Sequence, residues 1–297
     1  MAIVPLRGWA AVRTFLEMIK IEHSIFALPF AMIGMMWGSL VAFGSAWPGG
    51  AVFGWIVVAM VSCRSAAMAY NRIADRDIDA DNPRTKMRPI PAGLLSLRQS
   101  NLFFLVACVV FFVAAWQLNW LSLFLAPVAL GVTLFYSQTK RFTWLCHYVL
   151  GLSLGIAPAA SFIAVTGRLD ANIVWLTAAV TLWTAGFDVI YSLQDEEFDR
   201  SRGLHSLPAR FGRERSLLIS RLSHGGAVVC LFMAGLAFGR GALYFVGVLV
   251  VASILIYEQS LVKPNDLSRV NLAFFTLNGW VSIGLFVFTI LDIHFVI

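Results

Sequence analysis

Residues 71–88 read NRIADRDIDADNPRTKMR and hold four aspartates and five cationic side chains. Asn71, Asp75 and Asp79 are spaced four apart, so on a helix their oxygens share one face. A second acidic stretch, FDVIYSLQDEEFDRSRG at 187–203, repeats the spacing with Asp195 and Asp199. Two facing ladders of carboxylates repel each other unless something positive lies between them. Hard divalent cations accept Asp and Asn oxygens. Magnesium in particular takes one or two carboxylates and completes its shell with water and phosphate oxygens. Arg72, Arg84, Lys86, Arg88, Lys140, Arg141 and Arg202 are candidate holders of further phosphate oxygens. The chemistry expected of these residues is a magnesium–diphosphate cradle.

The elements that must position the ladders are membrane helices. The chain has 297 residues, 59% of them hydrophobic and only 13% charged, with a mean hydropathy of +0.80. That apolar content exceeds what a water-soluble core absorbs. Nine stretches have about the 20 apolar residues a span requires: 24–43, 51–71, 101–117, 120–137, 144–164, 172–192, 216–237, 241–260 and 271–291. The expected fold is all-α, with nine transmembrane helices in one domain over 1–297. No secretory leader is evident. Over 1–22, Trp9, Val12, Leu16 and Ile19 recur at helical spacing among Arg7, Arg13 and Lys20, as in an amphipathic helix lying at the interface. Eighteen Lys and Arg fall on one side of the nine spans and only Arg168 and Arg240 on the other. This places the N-terminus and both acidic ladders in the cytoplasm. The net charge of +6 therefore reports topology, and no nucleic-acid partner is implied.

Asn71 and Asp195 stand at the cytoplasmic ends of the second and sixth spans. Arg64 and Asp188 each lie seven residues deeper, and an offset of 124 relates 64, 71 and 75 to 188, 195 and 199. The match reads as a parallel repeat of two halves. A diphosphate held at a membrane surface beside an apolar cavity implies a polyprenyl diphosphate. Its allylic C–O bond breaks to a carbocation, which needs an aromatic wall. Tyr70, Tyr136 and Tyr191 are the candidates for that wall. Arg64 is a candidate for an acceptor's carboxylate and Asp188 for its hydroxyl proton; the alternative for both is a structural pair with each other. Asp77, Asp81, Glu196 and Glu197 miss the ladders and read as solvated. His23, His147 and His205 read as ordinary hydrogen-bonding residues. The scattered cysteines (63, 108, 146 and 230) read as apolar fillers, and Pro29, Pro127 and Pro158 as kinks. A transporter is the rival class, but transport sites lie near the bilayer midplane, whereas these carboxylates gather at one interface.

The motifs N-x-x-x-D-x-x-x-D (Asn71, Asp75, Asp79) and D-x-x-x-D (Asp195, Asp199) resemble those of the UbiA superfamily of intramembrane aromatic prenyltransferases. RTKMRPIPAG after the first motif, YSQTKRFT at 136–143 and GLHSLPARFG at 203–212 are also similar to family segments. The resemblance covers nearly the whole chain. It implies nine helices around a central cavity, two magnesium ions and a polyprenyl diphosphate donor, in the plasma membrane of a bacterium with the active site facing the cytoplasm. By the resemblance, Asn71, Asp75, Asp79, Asp195 and Asp199 are metal ligands. EHSIFALPFA (22–31) and LQDEEFDRSRGLHSLPARFG (193–212) look like the branch that prenylates 4-hydroxybenzoate in ubiquinone synthesis. They look as much like the branch that prenylates 1,4-dihydroxy-6-naphthoate in the futalosine route to menaquinone. Haem and chlorophyll branches share the motifs, but their other local signatures are not evident here.

Overall fold

The computed structural model describes residues 5–19 and 26–296, so Lys20, His23 and the start of the 24–43 stretch lie outside the described residues. The described residues form helices and no β-sheet. In order these are α1 (Gly8–Met18), α2 (Leu28–Phe43), α3 (Gly50–Ala74), α4 (Arg76–Asp81), α5 (Leu97–Leu118) and α6 (Trp120–Thr139). They continue with α7 (Cys146–Thr166), α8 (Ile173–Ser192), α9 (Glu196–Ser201), α10 (Leu207–Ala237), α11 (Ala242–Leu261) and α12 (Asn278–Val296). Eight helical segments, built on α3, α5, α6, α7, α8, α10, α11 and α12, are long and apolar enough to cross a membrane. The apolar α2 is shorter, with 16 described residues. Together they correspond to the nine expected spans.

One boundary and one kink differ from the sequence reading. The seventh span, expected at 216, belongs to a helix that starts at Leu207, because the Ser206 side chain caps it and Pro208 sits in its first turn. Gly212, at φ 77° and ψ 170°, breaks α10 before the apolar segment begins. Pro29 begins α2 and does not kink it, whereas Pro127 and Pro158 lie inside α6 and α7.

Helices of equal apolarity gain nothing from burial in lipid, so they associate through close packing of small residues. Gly34 and Gly38 of α2 let it lie directly on Pro158 and Phe162 of α7. Gly151 and Gly155 of α7 do the same against Thr177 and Thr181 of α8. Around this spine a core of large side chains, among them Phe30, Trp37, Phe162, Trp183 and Tyr244, joins α2, α7 and α8 to α10, α11 and α12. On the other side α3, α5 and α6 pack against one another and α7. The expected N-terminal helix forms as α1, and its inward side, Ala11, Phe15 and Met18 with Ile19 just beyond, packs on Ala69 and Leu95. Trp9 and Leu16 of the expected stripe stay on its outer side.

Candidate active site

Both acidic ladders form at helix ends that meet on one side of the bundle. Asp75 follows the last residue of α3 at φ −93°, ψ 6°, and Asp195, at φ −102°, ψ 5°, ends the 3-10 turn that follows α8. Each is followed by a six-residue helix, α4 or α9. The structural correspondence is therefore Asp75 with Asp195 and Asp79 with Asp199. This is an offset of 120, and it corrects the 124 read from the sequence by one helical turn. The earlier register aligned acidic residues by count alone; the break after each long helix sets the true one.

A cleft of about 290 Å³ lies between the ladders. It is lined by Asn71, Arg72, Asp75, Asp79, Arg84, Arg88, Lys140, Asp188, Tyr191, Asp195 and Asp199, joined by Asn82, Thr85, His147 and Phe274. Four of the five cleft carboxylates, Asp75, Asp79, Asp188 and Asp195, are each held by a cation or an imidazole. Asp75, 2% exposed, pairs with Lys140 at 3.0 Å and Arg141 at 3.1 Å and accepts a hydrogen bond from Asn71 Nδ2 at 3.0 Å. Arg88 Nη1 donates to both oxygens of Asp79, at 2.7 and 2.8 Å. Arg84 forks onto Asp195, with Nε 3.0 Å from Oδ1, and its Nη1 donates to the Tyr191 hydroxyl at 3.0 Å. Burial works against the Arg84 charge, but the hydrogen bonds and charge of Asp195 outweigh it and raise its pKa above the ordinary guanidinium value. His147 Nδ1 lies 2.7 Å from Asp188 Oδ2.

Below the cleft a second cavity of about 330 Å³ opens between α2, α3, α5, α6 and α7. Its wall is almost wholly apolar, rich in alanine, and carries Arg64. Met68, Tyr136 and Leu150 line both spaces, so the charged cleft and the apolar chamber are two parts of one cavity system.

The sequence pattern of the UbiA prenyltransferase family matches residues 27–280. The chain belongs to that family. Accordingly it is a membrane-embedded prenyltransferase. It is 31% identical over 267 residues to a protein named 4-hydroxybenzoate octaprenyltransferase from Shewanella pealeana, covering 89% of this chain and 92% of that one. Among solved structures it is similar to the apo form of a UbiA homologue from Aeropyrum pernix K1. There the identity is 36% and the TM-score 0.82, over 92% of this chain and 98% of the other. In fold alone it also matches a UbiA homologue from Archaeoglobus fulgidus bound to GPP and Mg2+. That match is 19% identical with a TM-score of 0.73, over 95% and 99% of the two chains.

Against this UbiA frame the candidate residues separate. Arg72, Arg84, Arg88 and Lys140 line the cleft, and Arg141 reaches its edge through Asp75. Arg64 sits in the chamber, away from the cleft lining. Lys86 is exposed, and Arg202 is turned outward onto Asp81. The Tyr70 hydroxyl accepts from Gln138 and is outside the cleft lining. Glu196, read as solvated, is 8% exposed and held by Arg200 at 2.8 Å and Arg213 at 2.7 Å. It misses the metal-type ladder because it faces α10, and Arg213 from that helix also donates to Pro264 O.

The sequence reading missed Asn82 and Phe274, and it named His147 as a hydrogen-bonding residue without placing it in the cleft. Asn82 Nδ2 donates to Asp195 across 113 residues at 3.4 Å, and Phe274 stacks on Tyr191 with ring centroids 4.1 Å apart. Neither residue repeats at a readable interval from the ladders. His205 also turns its backbone to the site, its N–H donating to Lys140 O at 2.7 Å.

Among the described residues no three His, Cys, Asp or Glu side chains form a ready cage. Five aspartates and two asparagines nonetheless line one cleft, all hard oxygen donors. Magnesium takes few protein ligands and arrives with phosphate oxygens. These residues therefore fit a metal delivered with its diphosphate.

Proposed function

We propose that the protein transfers a polyprenyl group from a polyprenyl diphosphate to a hydroxylated aromatic carboxylate, with magnesium, at the cytoplasmic face of the membrane. One observation carries this reading: a cleft of paired charges opens into an alanine-rich apolar chamber through the shared residues Met68, Tyr136 and Leu150. Only a ligand with an anionic head and a hydrocarbon tail matches both halves. The name of the Shewanella relative and the GPP and Mg2+ of the Archaeoglobus homologue support the same reading.

In this reading Asn71, Asp75 and Asp79 on one side, and Asp195 and Asp199 on the other, would hold the metal. When bound, magnesium draws charge from the diphosphate and eases loss of the allylic C–O bond. The chain's own part begins with an exchange of partners. Arg84, Arg88, Lys140 and Arg141 leave their carboxylates for phosphate oxygens, with Arg72 beside them, so the leaving charge meets preplaced donors. The C–O electron pair departs with the diphosphate. Tyr191 and Phe274 offer ring faces to the allylic cation. The acceptor ring attacks from a carbon activated by its hydroxyl: Asp188 takes the hydroxyl proton as the C–C bond forms, and returns it as the ring loses its own proton to solvent and becomes aromatic again. Arg64 in the chamber wall is the partner for the acceptor's carboxylate, which needs a cation once desolvated.

The test offers purified enzyme 4-hydroxybenzoate and 1,4-dihydroxy-6-naphthoate separately, with one long-chain donor, and measures diphosphate release and prenylated product. The relatives' name makes 4-hydroxybenzoate the first acceptor expected to react; preference for the naphthoate would assign the other quinone pathway. Phenol lacking the carboxylate should react ten- to a hundredfold more slowly, about the value of one charge-assisted contact. Equal rates for phenol and 4-hydroxybenzoate, or turnover only with a lipid alcohol or a porphyrin, would overturn the acceptor assignment.

A further inference from the structure

His147 opens α7 and is 3% exposed. Its two ring nitrogens face different partners. Nδ1 lies 2.7 Å from Asp188 Oδ2, and Nε2 lies 3.2 Å from the backbone N of Leu207, the first residue of α10. A backbone N–H only donates, so Nε2 must be an unprotonated acceptor. The ring proton is then on Nδ1 and is donated to the carboxylate. The start of α10 leaves this N–H no other partner. The first four N–H groups of a helix have none inside it. Pro208 has no N–H, Ala209 N donates to Ser206 Oγ at 3.4 Å, and Arg210 N donates to Ser206 O at 3.0 Å. Leu207 N is the one remaining, and His147 Nε2 accepts it.

We propose that His147 is a positioning residue whose tautomer is fixed by the N-terminus of α10, and that its Nδ1–H holds the Asp188 carboxylate aimed into the cleft. The inference rests on the reading of Asp188 as the proton acceptor. It ties that carboxylate to the 202–206 loop, which carries the chain from Asp199 to α10 and whose Leu204 N–H donates to Asp199 O at 2.9 Å. The base and the second aspartate ladder are thereby set in place by one helix start.

Two substitutions divide the two jobs of the ring. His147→Asn places an amide N–H near the Nδ1 position and cannot reach Leu207. His147→Gln extends an oxygen to the Leu207 N–H and gives Asp188 no donor. His147→Leu removes both. The expected result is that Asn recovers most of the kcat lost in His147→Leu while the protein melts earlier. Gln should recover the melting temperature while kcat stays about ten- to a hundredfold down, with donor KM little changed in both. Full activity in Gln together with inactivity in Asn would show that the ring only caps a helix, and would overturn the proposal. A readout independent of turnover is the 15N spectrum of histidine-labelled protein. The resonances missing in His147→Asn should be those of a neutral ring protonated on Nδ1; an imidazolium or an Nε2–H ring would sink the proposal. Asp188→Asn separates this inference from the reading beneath it. Wild-type turnover in Asp188→Asn removes the base assignment itself, whereas an inactive Asp188→Asn beside a fully active His147→Gln removes the role of His147 alone.

Discussion

Replacing Arg84 by alanine should move two affinities in opposite directions. Arg84 forks onto Asp195 and donates to Tyr191, with the two charged side chains 35% and 18% exposed. At that exposure the net worth of the pair is about 1 kcal/mol, since solvent screens it and both side chains lose freedom. A metal ion binding Asp195 must first displace the guanidinium. Deleting Arg84 removes the competitor, so magnesium affinity in the absence of donor should rise about fivefold. The diphosphate loses a forked donor worth about 1.5–3 kcal/mol, so donor KM at saturating magnesium should rise ten- to a hundredfold. Arg84→Lys should fall between, because a single ammonium keeps the charge but cannot fork. Calorimetric titration of Mg2+ into donor-free protein reads the first effect and steady-state kinetics the second. A fall in both affinities would refute the exchange of partners, since it would mean that Arg84 helps to build the metal site and does not compete with it. No change in either would place the 82–88 loop outside the cradle.

Asp75→Ala and Asp195→Ala should each abolish turnover with helical content intact by circular dichroism, and EDTA should reproduce the loss; residual prenylation in any of the three would count against the metal role. Ala157→Phe narrows the chamber wall and should shorten the longest donor accepted while sparing short ones, because a tail moving from lipid into an equally apolar space is selected by shape; unchanged product length across a donor series would show that the tail runs elsewhere. Gly151→Ala brings a methyl to 2.2 Å from the Thr181 carbonyl, backbone against backbone, and should cost about 1–3 kcal/mol of stability, read as an earlier thermal transition in detergent. Ser201, exposed beside the second ladder, should when changed to cysteine in a background free of native cysteines react only with reagents that reach the cytoplasm.

The fold was largely legible in the sequence because lipid imposes so few solutions. Long apolar runs must be helices, since an unpaired backbone group in hydrocarbon is too costly. Asn71, Asp75, Asp79, Asp195 and Asp199 were legible for a related reason: charge in so apolar a chain marks a helix end or a site, and spacing of four keeps it on one face. The sequence determined which residues carry the candidate chemistry but left their partners open. That Arg84 crosses to Asp195 while Arg88 turns back onto Asp79 depends on how the 82–88 loop lies across the cleft, over a separation of more than a hundred residues for one pair and nine for the other. Arg64 and Asp188 matched by count, yet one lines the chamber and the other meets His147 in the cleft, because the breaks after α3 and α8 shift the repeat by a turn. Glu196 looked like surface charge until Arg213 of α10 came to rest on it. His147 carried no readable pattern at all, since its role depends on a helix start sixty residues away whose one free N–H has only that imidazole to meet. Periodicity acts along one helix and is written locally; the pairing of charges is set where helices meet, and only the folded chain decides that.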